Sequence, residues 1–122
     1  MARFPVARLV EQARRHWIQV RPVTDWIRVN GLRTAGLDPG ENEALTLGIE
    51  TRADALLLDD QAAVEEAARL GINVIRTPGV YRLAKQRGLI PAIRPKLDEL
   101  CGAGFWLREE HYRIILRSAG EL

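Results

Sequence analysis

Residues 53–75 read ADALLLDDQAAVEEAARLGINVI, and this stretch decides the fold. Ala53 to Leu58 is a compact apolar run centred on Leu56-Leu57-Leu58, suited to a strand covered on both faces. The run stops abruptly at Asp59-Asp60. From Gln61 to Leu70, Val64, Ala67, Ala68 and Leu70 fall on the inward face of a helix and Glu65 and Glu66 on the outward one, and Gly71 ends it. Ile72-Asn73-Val74-Ile75 follows at once as a second short strand. Strand, helix and strand joined by a tight, glycine-marked turn make a crossover unit, so the two strands are expected in a parallel sheet.

Upstream, Leu37-Asp38-Pro39-Gly40-Glu41 is a loop leading into a helix. Asp38 is the expected N-cap, Pro39 suits the first helical position, and Glu41 faces the positive end of the helix dipole. Ala44, Leu45, Leu47 and Gly48 supply packing positions, and the helix should end near Thr51. Nearer the N-terminus, Val6, Leu9, Val10 and Ala13 recur at helical spacing after Pro5. Trp17-Ile18-Gln19-Val20 has the aromatic and β-branched content of a short strand closed by Pro22. Residues 24–34 suit either a helix or an extended segment, with a turn at Asn30-Gly31. Downstream, helices are expected from Thr77 to Gly88, Pro91 to Cys101 and Glu109 to Ala119. The fold class is therefore α/β, a parallel sheet flanked by helices with further helices at the C-terminal end.

Composition agrees with one globular domain over residues 1–122. The chain is 47% apolar and 28% charged, which excludes disordered and fibrous classes. No apolar run approaches the roughly 18 residues that cross a bilayer, and no secretory leader is recognisable, so a cytoplasmic protein is expected. One cysteine, Cys101, permits neither an internal disulfide nor a thiolate metal cluster. Charge is unevenly spread: residues 1–36 carry seven arginines against Glu11 and Asp25, whereas residues 37–122 carry eleven basic against fourteen acidic residues. A basic segment beside an acidic one suits phosphate contacts next to metal ligands, and equally a solvated arginine-rich helix face.

In open parallel sheets, ligands collect beyond the C-terminal ends of the strands, where Asp59 and Asp60 fall. Glu41 and Glu43 open the preceding helix, and a crossover connection could bring them to the same rim. Carboxylate oxygens are hard ligands suited to Mg²⁺ or Mn²⁺, and such ions can activate water and stabilise the leaving oxygen of a phosphodiester. On the residues alone, Asp59-Asp60 reads first as a strand-ending turn and second as a ligand pair. Arg82, Lys85, Arg87, Arg94 and Lys96 form a basic stripe around Gly88, either an RNA contact or a solvated surface. His16 and His111 have no third partner suggesting a zinc site. Trp17, Trp26 and Trp106 sit among apolar residues and are expected to anchor cores rather than to serve as base-stacking platforms.

The run Leu37-Asp-Pro-Gly-Glu-Asn-Glu-Ala-Leu45, followed by Ala55-Leu-Leu-Leu-Asp-Asp60, resembles a family of bacterial and archaeal PIN-like domain proteins. The likeness continues through Leu70-Gly-Ile-Asn-Val-Ile75, Thr77-Pro-Gly-Val80, Ala84-Lys-Gln-Arg-Gly-Leu-Ile-Pro91 and Gly104-Phe-Trp-Leu107, so that it spans residues 37–121. It implies a metal-dependent nuclease, often an RNA-cleaving toxin held by an antitoxin. By the same resemblance, Glu41, Asp60 and Glu11 would be the catalytic acids. The metal, Mg²⁺ or Mn²⁺, would fall to Glu41 and Asp60, with Glu43 and Asp59 in support. In the family's register Asp60 is the residue at the rim, and Asp59 would cap the next helix.

PIN domains open on a strand bearing a metal-binding Asp, and no such segment is recognisable before Pro5. The expectation is thus an incomplete, N-terminally truncated PIN-like sheet whose middle strands are missing. Three consequences are open: a truncated or mis-started reading frame, a homo-oligomer or complementary fragment that completes the sheet, or a non-catalytic interaction module. RNA, an antitoxin and a second copy are the expected partners, and a membrane is not among them. A nucleotide-binding domain is disfavoured because there is no glycine-rich phosphate loop.

Overall fold

The computed structural model describes residues 5–32 and 36–122, with side chains from residue 8 onward. The described residues form two compact units that divide between Arg52 and Ala53.

The first unit is helical. Helix α1 spans Pro5–His16, α2 Trp26–Leu32 and α3 Pro39–Thr51. No strand forms at residues 17–20. The N–H groups of Trp17 and Ile18 both donate to the Ala13 carbonyl at 2.8 Å, so this segment closes α1 as a turn. Trp17 is 77% exposed and Trp26 51%, so neither anchors a core. Helix α2 settles the ambiguous segment as helical over Trp26–Leu32, with Asn30-Gly31 inside it rather than in a turn, while residues 33 and 34 lie outside the described residues. Asp25 caps α2 by accepting from Arg28 N at 3.0 Å. Glu50, near the end of α3, holds that cap in place by accepting from Thr24 N and Thr24 Oγ1, both at 2.9 Å, and from Asp25 N. These hydrogen bonds, led by that from Asp25 N, lower the Glu50 pKa. Val29 and Leu32 of α2 and Leu45 of α3 are buried.

The second unit contains the expected crossover. Strand β1, Leu56–Leu57, pairs in parallel with β2, Val74–Ile75, in the register Leu56 with Val74 and Leu57 with Ile75. Helix α4, Gln61–Arg69, connects them. Both strands are shorter than the apolar runs suggested, and Leu57 is 62% exposed, so β1 is not covered on both faces. The inward face of α4 also differs from expectation. Ala63, Glu66 and Ala67 are buried and Ala68 is exposed. Glu66 can be buried because Arg69, one turn on, pairs with it, and that partner lowers its pKa.

Three helices follow: α5 Thr77–Gln86, α6 Arg94–Gly102 and α7 Glu109–Ser118. Ile93, Leu97 and Leu116 form the core between them, with Tyr81, Leu107 and Tyr112 packed against it. Helices α4 to α7 all end in the same way, with two hydrogen bonds reaching back from a glycine and the residue after it. At α6, Gly104 N donates to Cys101 O and Phe105 N to Leu100 O, both at 3.1 Å. At α7, Gly120 N donates to Arg117 O at 3.0 Å and Glu121 N to Leu116 O at 2.8 Å. The turn requires a left-handed residue, and Gly104 and Gly120 adopt φ of 108° and 75°.

The turn at Gly120 gives Glu121 its position. Its carboxylate accepts from Lys85 Nζ at 2.9 Å, Ile93 N at 2.8 Å and Arg94 N at 3.1 Å, tying α5 and the start of α6 to the end of α7. Those donors, first Ile93 N and then Lys85, hold the Glu121 pKa at about 2. Two members of the basic stripe are thereby used inside the unit, and Lys96 faces Glu99 at 3.6 Å.

Candidate active site

A groove of about 1000 Å³ in the second unit collects the chemically versatile residues of this half of the chain. Its acidic end is Asp59-Asp60, at the C-terminal end of β1. The two side chains, both past the end of β1, take different tasks. Asp60 is the N-cap of α4, its Oδ2 accepting from Ala63 N at 3.1 Å. Asp59 Oδ1 accepts from Thr77 N at 2.8 Å and Oδ2 from the Thr77 hydroxyl, fastening the strand end to the first turn of α5. The sequence suggested that Asp59 caps the next helix. The cap is Asp60, because the residue that enters the helix turn is the one whose side chain reaches back to its third N–H. Asp60 Oδ1 makes no hydrogen bond among the described residues and is open to a ligand.

Arg76 follows β2 directly and lies beside the aspartates. Its guanidinium donates to the Asp59 carbonyl at 2.6 Å and to Gln61 Oε1 at 3.1 Å, which fixes a positive charge at the strand ends. Across the groove, residues 105–108 run between α6 and α7 without regular structure. Phe105 and Leu107 turn inward, Leu107 onto the core, whereas Trp106 and Arg108 turn outward. Trp106 is 77% exposed, so it too is not a core anchor. The Arg108 guanidinium lies 5.8 Å from the centroid of its ring, within cation–π range. His111, also exposed, completes this side.

Glu41 and Glu43 belong to the first unit. Asp38 caps α3 by accepting from Glu41 N at 3.0 Å, and Glu41 Oε2 returns the contact by accepting from Asp38 N at 3.3 Å, a reciprocal capping box. Glu43 lines a smaller cleft with Arg21 and Trp26. Between the two glutamates, Asn42 is fully buried, as is Thr46 one turn later, and neither side chain has a hydrogen-bond partner among the described residues. Glu11 is exposed on α1 and pairs with Arg14 at 2.8 Å. Among the described residues no three His, Cys, Asp or Glu side chains gather closely enough to form a metal centre.

Sequence reasoning missed Arg76 and Arg108, and it read Trp106 as a core anchor. The rule that ligands collect at strand ends applies to Arg76 as much as to Asp59. The in–out alternation of Phe105-Trp106-Leu107-Arg108 was a legible sign that Trp106 faces outward.

A family model described as a PIN domain matches residues 2–121. The chain belongs to the PIN domain family. Membership places it among nuclease-type proteins, and the α/β architecture, with its parallel strand pair and C-terminal helices, agrees with the family expectation. No curated protein and no solved structure matches the chain. Among the described residues, no helix is long and apolar enough to cross a membrane.

Proposed function

We propose that this PIN domain protein is a metal-dependent nuclease acting on RNA in the cytoplasm, with Asp60 as its principal metal ligand in the second unit. The observation that carries this reading is the free Asp60 Oδ1 at the C-terminal end of a parallel strand, in a groove that also holds Arg76, fixed by two hydrogen bonds, and Arg108. The donors suit Mg²⁺ or Mn²⁺, because hard carboxylate oxygens in small number, completed by water and phosphate, are how these ions bind beside a phosphodiester. Asp59 supports Asp60 from the segment that joins β1 to α4. Glu41, Glu43 and Glu11 are assigned metal-binding or water-orienting roles by the family resemblance alone. A bound divalent ion would supply an activated water and stabilise the leaving oxygen.

The protein's own groups do the rest. Arg76, held by the Asp59 carbonyl and Gln61, presents its remaining N–H groups to a phosphate. Arg108 has no carboxylate partner among the described residues and can add a second phosphate contact. An antitoxin is the proposed regulator, again on the resemblance. Titration calorimetry with Mn²⁺ tests the site. Asp60→Asn and Glu41→Gln keep oxygen acceptors for their helix caps and lose only the charge, so affinity should fall in both; unchanged affinity rejects these ligands.

A second reading, a non-catalytic or self-associating module, is favoured by one observation. Strands β1 and β2 each have a single neighbouring strand among the described residues, and Leu57 is left in solvent. Light scattering separates the two: a dimer that Leu57→Lys dissolves supports this reading, and a stable monomer counts against it.

A further inference from the structure

We propose that Trp106 is a stacking platform for an unpaired nucleobase, with Arg108 and Arg76 holding the phosphates on either side of it. The proposal deepens the nuclease reading and rests on it for the identity of the ligand as a nucleic-acid strand. A large aromatic ring in solvent is ordinarily an unfavourable arrangement, yet here the local structure imposes it. The turn at Gly104 pins Phe105 N to Leu100 O, Leu107 is packed on the core, and α7 starts at Glu109. Trp106, between two inward-facing residues, can only point out. Its ring is buttressed by the Arg108 guanidinium, and with 77% of the residue exposed it retains an open face.

The surroundings select the occupant. The groove's walls are largely apolar, from Pro78, Phe105, Leu107, Ile114 and Ile115, but an apolar peptide segment seated there would leave the Arg76 and Arg108 cations beside Trp106 without an anionic partner. Cations beside an aromatic ring match a strand that alternates phosphates with flat π-faced bases, the pattern of single-strand binding sites. The groove volume of about 1000 Å³ is also at the upper end of the roughly 300–1,000 Å³ range of ligand pockets, enough for more than an isolated ion. Duplex nucleic acid does not fit, because its bases are already stacked and unavailable to Trp106.

The test is fluorescence anisotropy of a labelled single-stranded oligouridylate with the full chain, in EDTA so that nothing is cleaved. Parallel titrations use an abasic strand of the same length, an oligodeoxythymidylate and a duplex RNA. Wild type should bind either single strand about ten-fold more tightly than the abasic strand or duplex, Trp106→Ala should lose that advantage, and Trp106→Phe should keep most of it. Equal binding of abasic and base-bearing strands by wild type, or unchanged affinity in Trp106→Ala, overturns the platform. Absence of strand binding by wild type overturns it as well. If Trp106→Ala fails to fold, the abasic comparison on wild type still decides. Manganese-dependent cleavage by wild type and by Asp60→Asn is measured separately. Cleavage that needs Asp60 while Trp106→Ala binds normally refutes the platform alone, and base-dependent binding without cleavage refutes the nuclease reading alone.

Discussion

Asp59 accepts hydrogen bonds from both the backbone N–H and the hydroxyl of Thr77, so the end of β1 and the start of α5 are held by one side chain. The Thr77 N–H is one of the donors at a helix start that no helical carbonyl can satisfy. Asp59→Ala should destabilise the second unit by about 1–3 kcal/mol, the range for leaving partly buried groups without their charged partner. Thr77→Val, which spares the backbone bond, should cost less. Urea unfolding curves of the two variants compared with wild type check the order.

Asp60 serves two purposes that substitution can separate. Asparagine caps helices as well as aspartate, so Asp60→Asn should leave stability nearly unchanged, whereas Asp60→Ala should cost about 1 kcal/mol through loss of the α4 cap. Thermal unfolding without metal reads this. A large loss in Asp60→Asn would mean that its charge is structural.

Core packing gives a larger effect. Leu97 and Leu116 are fully buried between α6 and α7. Truncation of either to Ala should cost about 2–5 kcal/mol, from lost burial and the cavity left behind. Denaturant midpoints that shift without a change in slope would confirm a pure stability effect.

Acid should loosen both units. Glu50 and Glu121 titrate below the ordinary value of 4.5 in the folded chain, Glu121 at about 2. A carboxylate depressed by folding stabilises fully above its unfolded pKa, and that contribution fades as pH falls through the folded value. For Glu121 the loss therefore runs from about pH 4.5 down to about 2. Glu121→Gln should lower the melting temperature at neutral pH and flatten its decline over this window. A melting temperature in Glu121→Gln that tracks wild type across the whole range would contradict the assignment.

The crossover from β1 through α4 to β2 was legible because an apolar run, an amphipathic segment and a glycine stop are all local signals. The Asp38 cap and α3 were legible for the same reason. Tertiary context set what local pattern could not. The aromatic and β-branched content of residues 17–20 promised a strand, but a strand needs a neighbour, and the segment instead closes α1 through Ala13. Glu66 looked like a solvent-facing charge until Arg69 made its burial possible. At the site, the sequence located the acidic pair but gave the helix cap to Asp59 instead of Asp60, since a difference of one residue decides which side chain enters the helix turn. The three tryptophans were misjudged because hydrophobicity alone does not tell a packed ring from one held outward by its neighbours.

The clamp made by Glu121 has a consequence for synthesis. Lys85 and Ile93 are made long before their acceptor, 36 and 28 residues earlier in the chain. At about 5–20 residues per second, the ribosome adds the 36 residues separating Lys85 from Glu121 in roughly 2–7 s. Throughout that interval α5 and α6 emerge without the group that joins them, and Leu97 waits for Leu116. The second unit therefore completes its packing only once Leu116 and Glu121 have been made, so its closure belongs to the last steps of the chain's folding.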